Sequence, residues 1–369
     1  MSNDKTTTAP LVLLGALFPA NHAQALWPTM QEQAPNLCAW LAHSQGQVVP
    51  VDSLEQRCTA TESYLLQTMG FTPAPRPHDR TQQPNMGSGM ALILALQAGF
   101  WQQLNKKEPF WLAELVHIAP GREGASLIPA RLLDIDEPSA QALLESLQPY
   151  IGDTPFEFTA LSPSHWQVRL RASTTPAAPT QSAAAQPQST TQAPSTTDKH
   201  KQTATAQDEP SLSCTLPIPM ATPELVFQTT VQDWWDTSTA GRAWRQWANE
   251  IQMLWHQHPV NLQRQQQGQP PINALWLMGG AAAEQLKHPQ QELPQVRYDL
   301  ERAYREQDWN AWLTTLAQLD QQLFAQPPKQ LILAGQSGYL VTTAPTTPSW
   351  LRRLFSAKKT GQSCWLDPY

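Results

Sequence analysis

A single proline constrains this chain more than any other residue. Residues 249–280 read NEIQMLWHQHPVNLQRQQQGQPPINALWLMGG, and the pattern there is helix, break, short helix, strand and glycine turn. Upstream of the proline, Trp244, Trp247, Ile251 and Leu254 recur at three- and four-residue steps, with Arg242, Arg245, Gln246 and Glu250 between them. That spacing predicts an amphipathic helix with an aromatic buried face. Pro259 cannot donate a backbone hydrogen bond and biases His258 away from helical angles, so the helix is expected to stop at His256 or Gln257. Asn261 then suits an N-cap, its side-chain oxygen accepting from the amides of Gln263 or Arg264. Gly268 is placed to close the second helix in a left-handed conformation, and Pro270 and Pro271 block its continuation.

Residues 274–278 form a brief apolar run bounded by breakers, which reads as a buried strand. Gly279 and Gly280 follow it, and AAAEQL then reads as the first turns of a helix. A strand, a glycine turn and a helix N-terminus expose free amides at the positive end of a dipole, a common way to hold an anion. The same glycines also permit tight strand-to-helix packing.

With 369 residues and 41% hydrophobic content, the chain can build a sizeable core. A net charge of -6 with only 15% charged residues argues against an electrostatic grip on nucleic acid or an anionic membrane surface. The densest local positive run is Arg352, Arg353, Lys358 and Lys359, which reads as a solvated tail or a phosphate-binding patch. Cys38, Cys58, Cys214 and Cys364 show no C-x-x-C spacing, so neither a zinc site nor a disulfide framework is indicated. Reduced thiols and a cytoplasmic location fit best. Residues 11–18, LVLLGALF, are expected to be a buried first strand. A cleaved leader is the alternative, but Asp4 offsets Lys5 and the apolar run soon meets Pro19. No segment approaches the apolar length of a membrane-spanning helix.

Three regions follow along the chain. Residues 1–171 form an N-terminal α/β part, 172–210 a disordered Ser/Thr/Ala/Pro/Gln linker, and 211–369 a C-terminal α/β part carrying the HPVN…GG stretch. Trp27, Leu37, Trp40 and Leu41 have loosely helical spacing. Residues 54–69 read as one helix ended by Gly70, and 72–89 as a surface loop whose GSG makes a flexible start to MALILALQAGFW. Strands are expected over 110–119 and 127–133, a helix over 139–150, and a hairpin over 156–161 and 165–170. Residues 296–324 read as helix broken at Gln307 and Asp308, and LILAGQSGYLVTT as a hairpin turning at GQSG.

Few residues gather with chemical spacing. His256 and His258 are the only close histidine pair, and a two-residue step on a helix sets side chains about 200° apart, poor geometry for one ion. Asp134, Asp136 and Glu137 read as a solvated acidic turn. Ser337 in GQSG is not a hydrolase elbow, since Tyr339 stands where that motif needs glycine.

The run NEIQMLWHQHPVN, with Arg264, Gly268, Asn273 and ALWLMGG, resembles the bacterial RpfE-type regulatory proteins. These are related to the archaeal-type, cofactor-independent phosphoglycerate mutases. WLAELVHIAPGREGASLIPARLLDID and SHWQVRL also resemble that family, with Glu114 and Leu115 where its pattern has Asp-Pro. The resemblance implies an alkaline-phosphatase-like α/β fold with a mixed sheet flanked by helices, two divalent metals and a phosphorylated serine. The first strand, however, lacks the family's Asp-Gly, and no Asp-x-x-x-His or Asp-His-Gly motif stands near the C-terminal hairpin.

The expectation is therefore a cytoplasmic, non-catalytic regulatory protein without a cofactor. His258, Asn261, Arg264, Asn273, Gly279 and Gly280 would line one cleft for a small phosphorylated or carboxylate ligand. A protein partner is the other expected contact, with neither nucleic acid nor membrane involved. One alternative is a metal-dependent phosphoglycerate mutase or phosphatase. Another is an interaction scaffold presenting some of the 15 tryptophans.

Overall fold

The computed structural model describes residues 9–17, 20–74, 85–121, 124–152, 154–171, 221–239 and 241–344. The expected linker, the basic run at 352–359, Cys214 and Cys364 lie outside them. The chain begins with β1 (Leu11–Leu14), α1 (Ala20–Gln33), α2 (Pro35–His43), β2 (Gln45–Pro50), α3 (Ser53–Gln56), α4 (Ala60–Thr68) and α5 (Met90–Gln97). Next come β3 (Pro109–Pro120), β4 (Ala125–Ile128), α6 (Glu137–Ile151), β5 (Phe156–Ser162) and β6 (His165–Leu170). Beyond residue 220 follow α7 (Pro223–Gln228), α8 (Arg242–His256), α9 (Pro259–Gln266), β7 (Ala274–Ala282) and β8 (Gln295–Arg297). The described part ends with α10 (Glu301–Arg305), α11 (Trp309–Ala325), β9 (Gln330–Ala334) and β10 (Gly338–Thr343).

The fold is mixed α/β, built on two sheets. The first has the order β2-β10-β9-β1-β8, with β1 parallel to both of its neighbours and β10 antiparallel to β9 and β2. Strand β1, LVLL, lies between β9 and β8 and is buried at every position, as a parallel strand covered on both faces must be. Leu11 and Leu13 pack with Leu37, Trp312 and Leu316 on the face covered by α1, α2 and α11. Val12 and Leu14 pack on the other face with Ala60 and Tyr64 of α4.

The second sheet is antiparallel around β3, which pairs with β7, β6 and β4, while β5 pairs with β6. Trp166, Trp276 and Phe156 of this sheet share a core with Leu143 and Leu147 of α6 and with Trp244, Trp247, Ile251 and Trp255 of α8. Leu112 and Met278 instead join Leu66 of α4 and Leu92 of α5. Helix α4 thus has side chains in the cores of both sheets. Each sheet also takes strands from both sides of residues 172–220, so 1–171 and 211–369 do not fold as separate sheets.

Several local expectations are corrected. The apolar spacing over 54–69 hides a break: Arg57 adopts a left-handed φ of 57°, and Thr59 caps a new helix through a reciprocal capping box with Glu62. Strand β4 stops at Ile128 because Pro129 follows, and Ala130–Leu132 is a 3-10 turn. Residues 296 and 297 pair with β1 instead of opening a helix, although the break before α11 falls where expected, with Gln307 at φ 56°. Residues 86–89 are a buried 3-10 turn, not part of an exposed loop. A Cβ on Gly89 would stand 2.6 Å from Leu66 Cδ2 and 2.8 Å from the Phe71 ring, so that glycine allows close packing. Every tryptophan among the described residues is buried or half-buried, which leaves the scaffold expectation without an exposed tryptophan patch there. Among the described residues, no helix is long and apolar enough to cross a membrane.

Candidate functional site

The break at Pro259 forms as expected, but its polar residues have other partners than those anticipated. His258, not Asn261, caps α9: Pro259 at the first helical position has no amide to satisfy, and His258 Nδ1 accepts from the Val260 amide at 3.3 Å. Asn261 lies inside the helix with 0% of its surface exposed. Its Nδ2 donates to the carbonyls of Trp255 at 2.8 Å and Ile272 at 2.7 Å, and its Oδ1 accepts from the Ile272 amide at 2.7 Å. Asn273 treats Ile118 the same way, accepting its amide and donating to its carbonyl, each at 2.8 Å. Arg264, 5% exposed, donates to the carbonyl of Pro270 at 2.9 Å and to that of Leu133. These side chains fasten loops to one another.

The glycine pair is corrected more sharply. Strand β7 runs through it to Ala282, because β3 offers ladder partners as far back as Pro109. Gly279 pairs with Trp111 and Ala281 with Phe110, so Gly280 is the extra residue of a bulge. Their φ angles of 110° and 91° suit glycine alone. A 3-10 turn, Ala283–Gln285, follows in place of a helix, and the expected helix N-terminus is not formed. Gly279 also lies about 20 Å along the strand from Asn273, from the rise per residue of a strand. The six residues therefore do not share one hollow.

A different group of polar residues does converge. A cavity of about 340 Å³ is lined by both sheets and by α4 and α5. Leu14, at the carboxyl end of β1, and Tyr298, just past β8, bound it on one side, and Glu114 and Met278 on the other. Ligands of open α/β sheets bind beyond the carboxyl ends of parallel strands. Leu65, Met90, Ile93 and Leu94 supply an apolar wall.

Glu62 stands in the first turn of α4, 6% exposed. Its Oε2 accepts from the Thr59 amide at 2.8 Å, the Thr59 hydroxyl at 3.0 Å and the Thr222 hydroxyl at 2.7 Å. Burial, followed by the charge of Glu224, pushes this carboxyl up to about 7 in spite of those bonds. Glu114, buried in β3, accepts from the Ala130 amide at 2.8 Å and faces His165 Nε2 at 3.2 Å. The other ring nitrogen of His165 lies 3.0 Å from Ser164 Oγ and 3.3 Å from Ser162 Oγ.

Arg131 is held by a carboxylate on each of two helices. It makes a two-point pair with Glu224 at 2.6 and 2.8 Å and a further bond of 2.6 Å to Glu301. The Tyr298 ring centre lies 4.4 Å from its guanidinium carbon. Burial nonetheless raises the Glu224 carboxyl above its ordinary value, Arg131 opposing it. Thr61 also lines the cavity; it is 5% exposed, and its hydroxyl has no hydrogen-bond partner.

The Thr59-x-x-Glu62 spacing is a capping-box signature that could have located one wall of this site. Arg131, His165 and Glu224 carry no such local signal. Among the described residues, no three His, Cys, Asp or Glu side chains gather so that they could hold a metal ion. The two divalent metals implied by the resemblance therefore do not fit the donors among the described residues.

No protein-family model matches the chain, and no curated protein matches it. The RpfE-type resemblance thus rests on the residue pattern alone. The chain is similar to the solved structure of a cofactor-independent phosphoglycerate mutase from Thermoplasma acidophilum DSM 1728, at 12% identity, over 96% of this chain and 95% of that one. The TM-score is 0.34, and at that value the likeness carries no argument about activity or site.

Proposed function

We propose that the protein binds a small molecule in the cavity beside α4, without catalysing a reaction on it, in keeping with the regulatory role that the sequence resemblance implies. The observation that carries this reading is the cavity itself, lined by the charged or titratable groups of Glu62, Glu114, Arg131, His165 and Glu224 together with the apolar Leu65, Met90, Ile93 and Leu94. The cavity volume of about 340 Å³ suits a compact molecule. Support for binding over two-metal phosphoryl transfer comes from the described residues, among which no three His, Cys, Asp or Glu side chains gather so that they could hold a metal ion.

A second reading, hydrolysis at Ser164, draws on the contacts of Ser164 and Glu114 with His165. Against it, Ser162 Oγ accepts from the Ser164 and His165 amides. The serine hydroxyls are thus part of the turn between β5 and β6.

The test is a thermal-shift screen of small metabolites on the native protein and on Leu94→Trp, which places an indole in the cavity. Ligands that raise the native melting temperature are expected to lose their effect in the variant. Hits that shift both proteins equally would place binding elsewhere and end the reading.

A further inference from the structure

We infer that a second cavity, at one end of the antiparallel sheet, binds a small zwitterion, an α-amino acid with an apolar side chain. The cavity has a volume of about 470 Å³ and shares no lining residue with the one beside α4. It opens where two strands part. The ladder between β3 and β6 ends at the pair Trp111 and Val168, yet β3 reaches back to Pro109 and β6 runs on to Leu170. Phe110 and Arg169, next in line, do not pair. Both line the opening, together with Leu104, Asn105 and Glu108 from the segment before β3.

The charges of this cavity select the ligand. Arg169 and Glu108 line the same space, yet among the described residues neither forms an ion pair, with the other or with any third group. The guanidinium is nonetheless oriented. Gln167, only 7% exposed, accepts through its side-chain oxygen from Arg169 Nε at 3.0 Å and Nη2 at 3.2 Å, the amide orientation that satisfies both groups. A guanidinium carries five N–H donors in a fixed fork, so three remain, and two of these lie parallel, as a carboxylate requires. Asn105 accepts the Lys107 amide at 3.1 Å, fixing the turn that carries Glu108, whose oxygens are acceptors for an ammonium. Leu104, Pro109, Trp111 and Leu170 supply apolar surface between the two charges, as does Phe110, backed by the Phe100 ring at 6.3 Å. A simple anion would leave Glu108 unanswered, and a simple cation would leave Arg169 so. A ligand with a carboxylate, an ammonium and an apolar body answers all three.

The test is calorimetric titration of the full-length protein at neutral pH with L-phenylalanine, phenylpropanoate and phenethylamine, repeated with Arg169→Gln, Glu108→Gln and Leu94→Trp. Arg169 and Glu108 are exposed, so their substitution spares the core, and circular dichroism verifies that every variant folds. Phenylalanine is expected to bind the native protein and Leu94→Trp alike, and to lose about tenfold or more in each of the other two variants. Each analogue lacks one charge and is expected to bind about tenfold or more weakly than phenylalanine. Absence of phenylalanine binding, or binding unchanged in Arg169→Gln, would overturn the inference. Phenylpropanoate that binds as tightly as phenylalanine and is indifferent to Glu108→Gln would make this a plain carboxylate site and overturn the zwitterion. Phenylalanine binding lost in Leu94→Trp alone would assign it to the cavity beside α4, supporting that reading and ending this one.

Discussion

Asp320 Oδ1 accepts the amide proton of Leu37 at 2.6 Å, although 283 residues separate the two in the chain. Its Oδ2 accepts from both the amide and the side chain of Asn36, at 3.2 and 2.9 Å. The carboxylate of α11 therefore caps α2, whose own N-cap position is held by Ala34 and makes no side-chain cap bond. Asp320 is buried, and its removal leaves amides unsatisfied in the core. Asp320→Ala is expected to lower stability by about 2–4 kcal/mol, combining a lost cap with stranded donors. Urea unfolding measures this, and a loss under about 0.5 kcal/mol, the range of an ordinary surface change, would contradict it.

Glu62 makes stability depend on pH. Its carboxyl sits at about 7 in the fold against an ordinary 4.5. Between those values the folded protein keeps a proton that the unfolded chain has released. The stability associated with the neutral carboxyl is thus complete below about pH 4.5 and is lost as pH rises through about 7. The loss is on the order of 3 kcal/mol. Glu224, raised by burial in the same direction, adds to it. Melting temperature measured from pH 4.5 to 8 is expected to fall more steeply for the native protein than for Glu62→Gln; parallel profiles would refute the assignment.

The fastening residues of the Pro259 region are expected to act on stability alone. Asn261→Leu removes three bonds to main-chain groups and should cost about 3 kcal/mol or more. Arg264→Ala, which frees the carbonyls of Pro270 and Leu133, should cost about 2 kcal/mol. Native-like stability in either variant, by chemical denaturation, would show that those bonds are not maintained in solution.

Where a local rule dictates structure, the sequence is legible. Pro259 ends α8 within a residue of the expected place, and Gly268 closes α9 at φ 72°. The hairpins of β5–β6 and β9–β10 follow from alternation and turn residues. Where the outcome depends on a distant partner, it is not legible. Whether Gly279 and Gly280 turn the chain or bulge a strand is decided by the length of β3, some 170 residues earlier by the register of Pro109 with Ala282 and Phe110 with Ala281. The candidate site shows the same limit. Glu62, Glu114, Arg131, His165 and Glu224 come from separate elements and meet only after both sheets have formed. Asn261 and Arg264 looked ligand-ready because amide and guanidinium groups recognise a buried main chain as readily as a phosphate.

The interleaving of the two sheets has a consequence for synthesis. Strand β1 is synthesised long before its two ladder neighbours, residues 295–297 and 331–334, so the first sheet cannot close until those later strands have been made. Two polypeptides divided within 172–220 and made separately would each lack strands that the other holds. Mixed together, they are suited to reconstitution by fragment complementation, with assembly of the pair serving as the folding reaction itself.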